Sequence, residues 1–305
     1  MENFVEQSEG FRTVPWKKHG LGARRRQKQW WYFEGLDPNK KIYYIFNAMK
    51  MRPTDYISLT AVNYSSGERW AVDKMTPVKA KRGNLMDISA KGEWGSFHFK
   101  GSGNEGWTVK INTKDIYAEI SQNPKIPQHI NRLYTKHINY WVTQFIRNEM
   151  QGKIKIKTDS KSEFIIDGYG YCEHNWGVQP GHSTTNWLHF WSENVTGIVM
   201  DCRYDAGIPH AYNYFWHNDA GFYLPGQVHY SYHPDTSNEP FTVKGPGIDL
   251  ICVPHYVHFT RKKIWPIVNI DYQEILVEVK GTISKDGQAI PVNGVGKLDH
   301  NFNKW

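Results

Sequence analysis

Two stretches of this chain set an acid, a histidine and an asparagine side by side behind a pair of glycines. The first comprises Gly168, Gly170, Glu173, His174, Asn175 and Trp176; the second comprises Gly294, Gly296, Asp299, His300, Asn301 and Phe302. An acid beside an imidazole and a carboxamide can move a proton or hold a hydrogen-bonding substrate. Glu173 and His174 are therefore candidates for catalysis, and Asn175 and Trp176 for substrate binding. The same trio also serves as a structural hydrogen-bond knot at a strand end, since buried polar groups must be paired. Both alternatives stand at this stage. A dinucleotide loop does not, because that fingerprint needs a third glycine and a following helix, and Glu173 stands in the third glycine's place.

A second constellation lies in NWLHFWSEN, Asn186 to Asn194. If this is a strand, Trp187, His189 and Trp191 share one face and Leu188 and Phe190 the other. A histidine between two indoles is an unusual face for a protein core. Other histidines make a poor metal site: His229 and His233 stand four residues apart on one strand, about 13 Å at the strand rise, and His255 and His258 point to opposite faces. No metal and no cofactor is expected. A nucleophile elbow of the Gly-x-Ser-x-Gly kind is absent from the sequence.

The elements that would position these groups are strands. Each glycine-acid copy follows the same kind of hairpin, GKIKI to FIIDG before the first and VKGTI to AIPVNG before the second. A duplicated β unit is the simplest account. Short apolar or alternating runs recur from QWWYF onward, separated by Gly, Asn, Asp and Ser turns, which is an all-β signature. Asp286 and Gly287 mark a tight hairpin turn. Only Pro124 to His137 lacks a clean period of two, and it is expected to hold a helical turn or a loop. The organisation expected is an irregular basic lead-in over 1–27, a first β domain over 28–178 and a second over 179–305, packed directly together.

Composition narrows the function. Of 305 residues, 15% are aromatic and 13 are Trp, more than packing usually requires, which points to an internal aromatic surface or a ligand cavity. Much of the net charge of +7 sits in the lead-in region at Lys17, Lys18, Arg24, Arg25, Arg26 and Lys28. With no recognisable nucleic-acid module, nucleic acid is not an expected partner. Three widely spaced cysteines, Cys172, Cys202 and Cys252, suggest a reducing compartment, and Cys172 is expected to be a packed side chain rather than a nucleophile. Neither a signal peptide nor an apolar run of spanning length is seen, so a cytoplasmic location is expected.

At QWWYFEG (Gln29 to Gly35) and GYGYCEHNWG (Gly168 to Gly177) the sequence resembles the lipocalin-like superfamily of AttH and carotenoid 1,2-hydratase proteins, which also includes tocopherol-cyclase-like and Diels-Alderase-like members. The resemblance covers most of the chain from about residue 28. It implies two tandem lipocalin-like antiparallel β-barrel domains and a hydrophobic pocket for isoprenoid, polyene or polyketide substrates, without metal or redox cofactor. Cys172 departs from the pattern, where His is common, and Glu173 replaces a frequent Asp.

The resemblance also connects a His-x-Trp pair and an Asp on the next strand with catalysis. By order along the chain these are His189, Trp191 and Asp201, although the tyrosine expected near that acid is Val199 or absent. Hydration or cyclisation of an isolated alkene begins by protonating carbon, which requires an acid kept protonated in an apolar pocket and aromatic faces for the cation. Asp201 could supply that acid, His189 could position water, and Trp187, Trp191 and Trp216 could form the walls. A pericyclic step asks only for a shaped pocket and a hydrogen-bond donor. Tyr32, Tyr212, Tyr214, Asn175 and His189 are candidates for the donor, and Trp30 completes the expected binding set. The function expected is a cofactor-independent isomerase, cyclase or hydratase acting on an apolar isoprenoid or polyene. The alternative is a non-catalytic carrier of a hydrophobic small molecule.

Overall fold

The structure is a computed structural model that describes residues 12, 22–52, 54–83, 85–157, 163–204, 208–264 and 268–304. Apart from Arg12 and the stretch from Gly22, the basic lead-in therefore lies outside the described residues. The fold is all-β, and the chain divides into two compact units after Gln179.

In the first unit, antiparallel strands form one sheet. Its middle is built from β1 (Gln27–Asp37), β2 (Ile42–Lys50), β11 (Asn139–Ile156) and β12 (Glu163–Val178), in the order β2-β1-β12-β11. The two ends of the strand order, β4 (Glu68–Met75) and β5 (Lys79–Ala80), are consecutive in sequence. Only residues 76–78 join them, so the sheet must curl until its edges approach. It wraps an apolar interior containing Trp31, Phe33, Phe46, Phe99, Trp107 and Phe145. Full burial of each such side chain contributes roughly 1.5–3 kcal/mol.

The second unit repeats the plan. Its middle strands are β13 (His182–Ser192), β14 (Thr196–Tyr204), β15 (Ile208–His217), β20 (Val268–Lys285) and β21 (Gln288–Lys304), in the order β15-β14-β13-β21-β20. Its end strands, β16 (Ala220–Tyr223) and β17 (His229–Tyr230), are again consecutive. Leu188, Phe190, Val199, Phe215, Ile275 and Leu298 lie in its apolar interior. At the turn between β20 and β21, Asp286 and Gly287 both take positive φ, 51° and 80°, which suits the right-handed twist of the flanking strands.

Pro124 to His137 differs from expectation. The structure places β10 (His129–Tyr134) there, paired among the described strands with β11 alone. A strand lying off the main sheet path buries little on either face, and its side chains after His129 are intermediate or exposed. That is why no period of two shows in its sequence.

The duplication is visible in the strand pairing. Both glycine-acid copies lie on the last strand of their unit, between the unit's first strand and the other strand of the preceding hairpin: β12 between β1 and β11, and β21 between β13 and β20. Glu173 stands opposite Tyr32 and His174 opposite Trp31; Asp299 stands opposite Trp187 and His300 opposite Asn186. The glycines permit close approach of these neighbours. A Cβ on Gly168 would sit 2.2 Å from the Leu36 carbonyl oxygen, and one on Gly294 would sit 2.0 Å from that of Trp191.

Candidate active site

Neighbouring residues of a strand point to opposite faces, so the acid and the histidine of each copy part company. In the first unit His174 turns into the interior. Its ring stacks on Trp31 (centroids 5.1 Å apart) and Trp176 (4.8 Å), and its Nε2 lies 2.8 Å from Gln29 Oε1. Trp176 in turn stacks on Trp141. His174 and Trp176 are thus the structural knot, and the structure does not bring them to the acid's side of the sheet. His300 behaves likewise in the second unit, with Nδ1 lying 2.7 Å from Asn186 Oδ1 and burial lowering its pKa.

Glu173 turns to the other face. There, directly opposed residues on five strands form one polar row: Asn47, Tyr32, Glu173, Gln144 and His129. Trp30 and Asn175 flank the row on one side, Glu34 and Tyr171 on the other. Trp30 Nε1 donates to Glu173 Oε1 at 3.2 Å, Asn175 Nδ2 donates to the same oxygen, and the Tyr171 hydroxyl donates to Glu173 Oε2. Gln144 Nε2 donates to the Tyr171 hydroxyl at 2.9 Å, and the Tyr32 hydroxyl donates to Glu34 Oε2 at 2.7 Å. Glu34 and Gln144 are fully buried.

The electrostatics follow from that burial. Removal from water and the adjacent Glu173 charge hold the Tyr171 hydroxyl well above the usual phenol pKa, so it stays protonated. Burial pulls His129, at the end of the row, down to about 4. A carboxylate with donors on both oxygens, beside a tyrosine that keeps its proton, has the chemistry to exchange a proton, with indole and phenol faces around it.

The second unit arranges its candidates differently. Trp187, His189 and Trp191 do share one face, and across β14 they align with Tyr212, Tyr214 and Trp216 on β15. His189 meets Trp191 edge-on at 4.9 Å. Burial pushes the Tyr214 hydroxyl up to about 12. Beside His189 on β21 is Lys297, only 1% exposed, with Nζ 2.8 Å from Asp299 and 4.0 Å from Glu274.

Asp201 is not with them. It stands opposite Asn186, on the face of Leu188 and Val199, so its side chain points into the unit's interior, away from His189, Trp187 and Trp191. Burial raises its pKa, and Arg203 and His229 oppose that rise. The expected pairing of Asp201 with His189 fails because a residue's face is set by its register, and order along the chain carries no register.

Sequence reasoning missed Glu34, Tyr171, Gln144 and His129 in the first unit and Lys297 and Glu274 in the second. Alternation could have found two of these. Trp30, Tyr32 and Glu34 are spaced by two, as are Tyr171, Glu173 and Asn175. Gln144 and His129 join through pairing with distant strands, for which the sequence carries no local signal.

No family model matches the chain, and no curated protein matches its sequence. Solved structures do match its fold. The crystal structure of an AttH candidate from Nitrosomonas europaea superposes with a TM-score of 0.66 at 13% identity, covering 94% of this chain and 96% of that one. CghA with Sch210972 gives 0.69 at 11%, covering 92% and 89%. Kievitone hydratase from Nectria haematococca gives 0.65 at 10%, covering 99% and 98%. The chain thus has the tandem lipocalin-like β fold of these proteins over nearly its whole length, in agreement with the resemblance carried by its two motifs.

Proposed function

We propose that this chain is an enzyme of the hydratase, cyclase or isomerase type, acting on an isoprenoid or polyene substrate at the polar row of its first unit. The observation that carries this reading is the convergence of Trp30, Tyr171 and Asn175 on the Glu173 carboxylate. Likeness of fold to a hydratase supports it.

The arrangement favours some reactions over others. Protonating an isolated alkene needs a carboxylic acid that keeps its own proton, whereas Glu173 is surrounded by donors and acts as an acceptor. It suits removal of a proton from water, or from a carbon acidified by a neighbouring carbonyl. Isomerisation takes a proton from one carbon and returns it to another; hydration of an alkene conjugated to that carbonyl adds the hydroxide of one water to the far carbon and returns its proton, held by Glu173, to the near one. Either leaves Glu173 and Tyr171 unchanged after turnover. Tyr171 lends its hydroxyl to the carboxylate in the resting state and can turn it toward a developing negative charge on substrate. Trp30 and Tyr32 supply the walls.

Incubation in deuterated water with an isoprenoid panel of monoterpene to carotenoid size, conjugated aldehydes and ketones included, tests this. Deuterium gained at carbon, and lost in Glu173→Gln, is the result expected. Tight binding of a panel member without product would instead establish a carrier.

A further inference from the structure

The site's hydrogen-bonding capacity says more about its substrate than its aromatic walls do. Tyr171 has a single proton, and it goes to Glu173 Oε2. The Gln144 group facing that hydroxyl must therefore be the donor, Nε2, which fixes Oε1 at the other end of the amide. Glu173 Oε1 accepts from Trp30, and an ionised carboxylate is acceptor-only, so the Asn175 group facing it must likewise be Nδ2. The network itself thus settles the orientation of both amides.

What is left over is specific. Gln144 is fully buried and Asn175 is 1% exposed, yet Gln144 Oε1 and Asn175 Oδ1 have no hydrogen-bond partner among the described residues. Both belong to the face that carries Glu173, on adjacent strands and diagonal to each other, roughly 7–8 Å apart at Cα. Leaving a buried acceptor unsatisfied is costly, and native proteins rarely do so without a use for it. Every unspent atom of this pair is an acceptor. A bare hydrocarbon would leave both unsatisfied.

We infer that the substrate carries a hydrogen-bond donor, an alcohol or phenol hydroxyl, whose proton goes to Gln144 Oε1 beside its reacting carbons, with Asn175 Oδ1 placed to accept from a second donor. This rests on the functional reading above and narrows it from isoprenoids and polyenes in general to hydroxylated ones. The two amides select and orient the substrate, while Glu173 handles the proton.

The test measures binding separately from turnover. Tryptophan fluorescence titration of the wild-type protein compares geraniol, farnesol, geranylgeraniol and a prenylated phenol, each with its own methyl ether, which keeps the shape and removes the donor. The result expected is a preference of about tenfold or more for the hydroxyl member of at least one pair, the worth of one buried hydrogen bond. Gln144→Met, which keeps the volume and removes the acceptor, should reduce that preference to about threefold or less. Equal binding within every pair, or no binding by any of them, overturns the inference. Preferential hydroxyl binding without deuterium incorporation leaves the inference standing and removes the enzyme reading; turnover of the ethers as fast as the alcohols does the reverse.

Discussion

Trp30 Nε1 donates to Glu173 Oε1 across 143 residues of sequence, at 3.2 Å. This contact joins the two motifs on which the family resemblance rests. It also separates the groups of the second motif: the acid belongs to the polar face and the histidine beside it to the packing of the interior. Four expectations follow.

Glu173→Gln keeps the side chain's size but replaces one acceptor oxygen with a donor, facing either Tyr171 or the Trp30–Asn175 pair. Turnover should fall by about 10²–10⁴, the usual worth of a general acid or base. Asp201→Asn, on the interior face of the other unit, should stay within about threefold of wild type. Single-turnover kinetics of both variants checks the contrast, and the reverse ranking would move the site to the second unit.

His174→Ala should act on stability rather than chemistry. It removes the stack on Trp31 and Trp176 and the hydrogen bond to Gln29 from a site that is 1% exposed. A loss of about 2–4 kcal/mol is expected in denaturant titration. Below its melting temperature the variant should keep the ligand affinity of wild type.

Gly170→Ala tests the close approach built into the motif. The new Cβ would lie 2.7 Å from the Gln122 amide carbon. Gln122 cannot step aside easily, because it is fully buried and its Nε2 donates to both the Tyr44 hydroxyl and the Glu34 carbonyl. Overpacking of this kind costs about 1–3 kcal/mol, readable as a lowered melting temperature.

Acidification should destabilise the fold through His129. Its pKa is about 4 when folded and 6.5 when exposed, so between those values the unfolded chain binds the extra proton. Stability from this group is complete above pH 6.5 and is lost as pH falls toward 4, by at most about 1.4 kcal/mol per pH unit. Denaturant titrations across that range should show His129→Gln with a shallower loss than wild type. An identical pH dependence in the two proteins would refute the assignment.

How much of this was legible beforehand varies from residue to residue. Trp30 and Tyr32 are legible as aromatic side chains two positions apart, and both stand on the face that carries Glu173. The alternation of Trp187, His189 and Trp191 likewise placed three side chains on one face, because the period of two is a local property of extended backbone. The face of Asp201 and the place of Gln144 are not legible in this way. Each depends on which residue of one strand stands opposite which residue of another.

From its amino acids alone, the chain declares an all-β fold, a duplicated unit and a stock of indoles, phenols and carboxylates. Turn residues, alternation and repeats are written within a few positions of one another, so they survive in one dimension. Register and curl are different. They arise from hydrogen bonding between strands more than a hundred residues apart, and one step of slip exchanges the two faces. The tertiary structure therefore had to decide that Glu173 faces Tyr32 and Gln144, that His174 and Asp201 point inward, and that two buried amide oxygens wait beside the carboxylate.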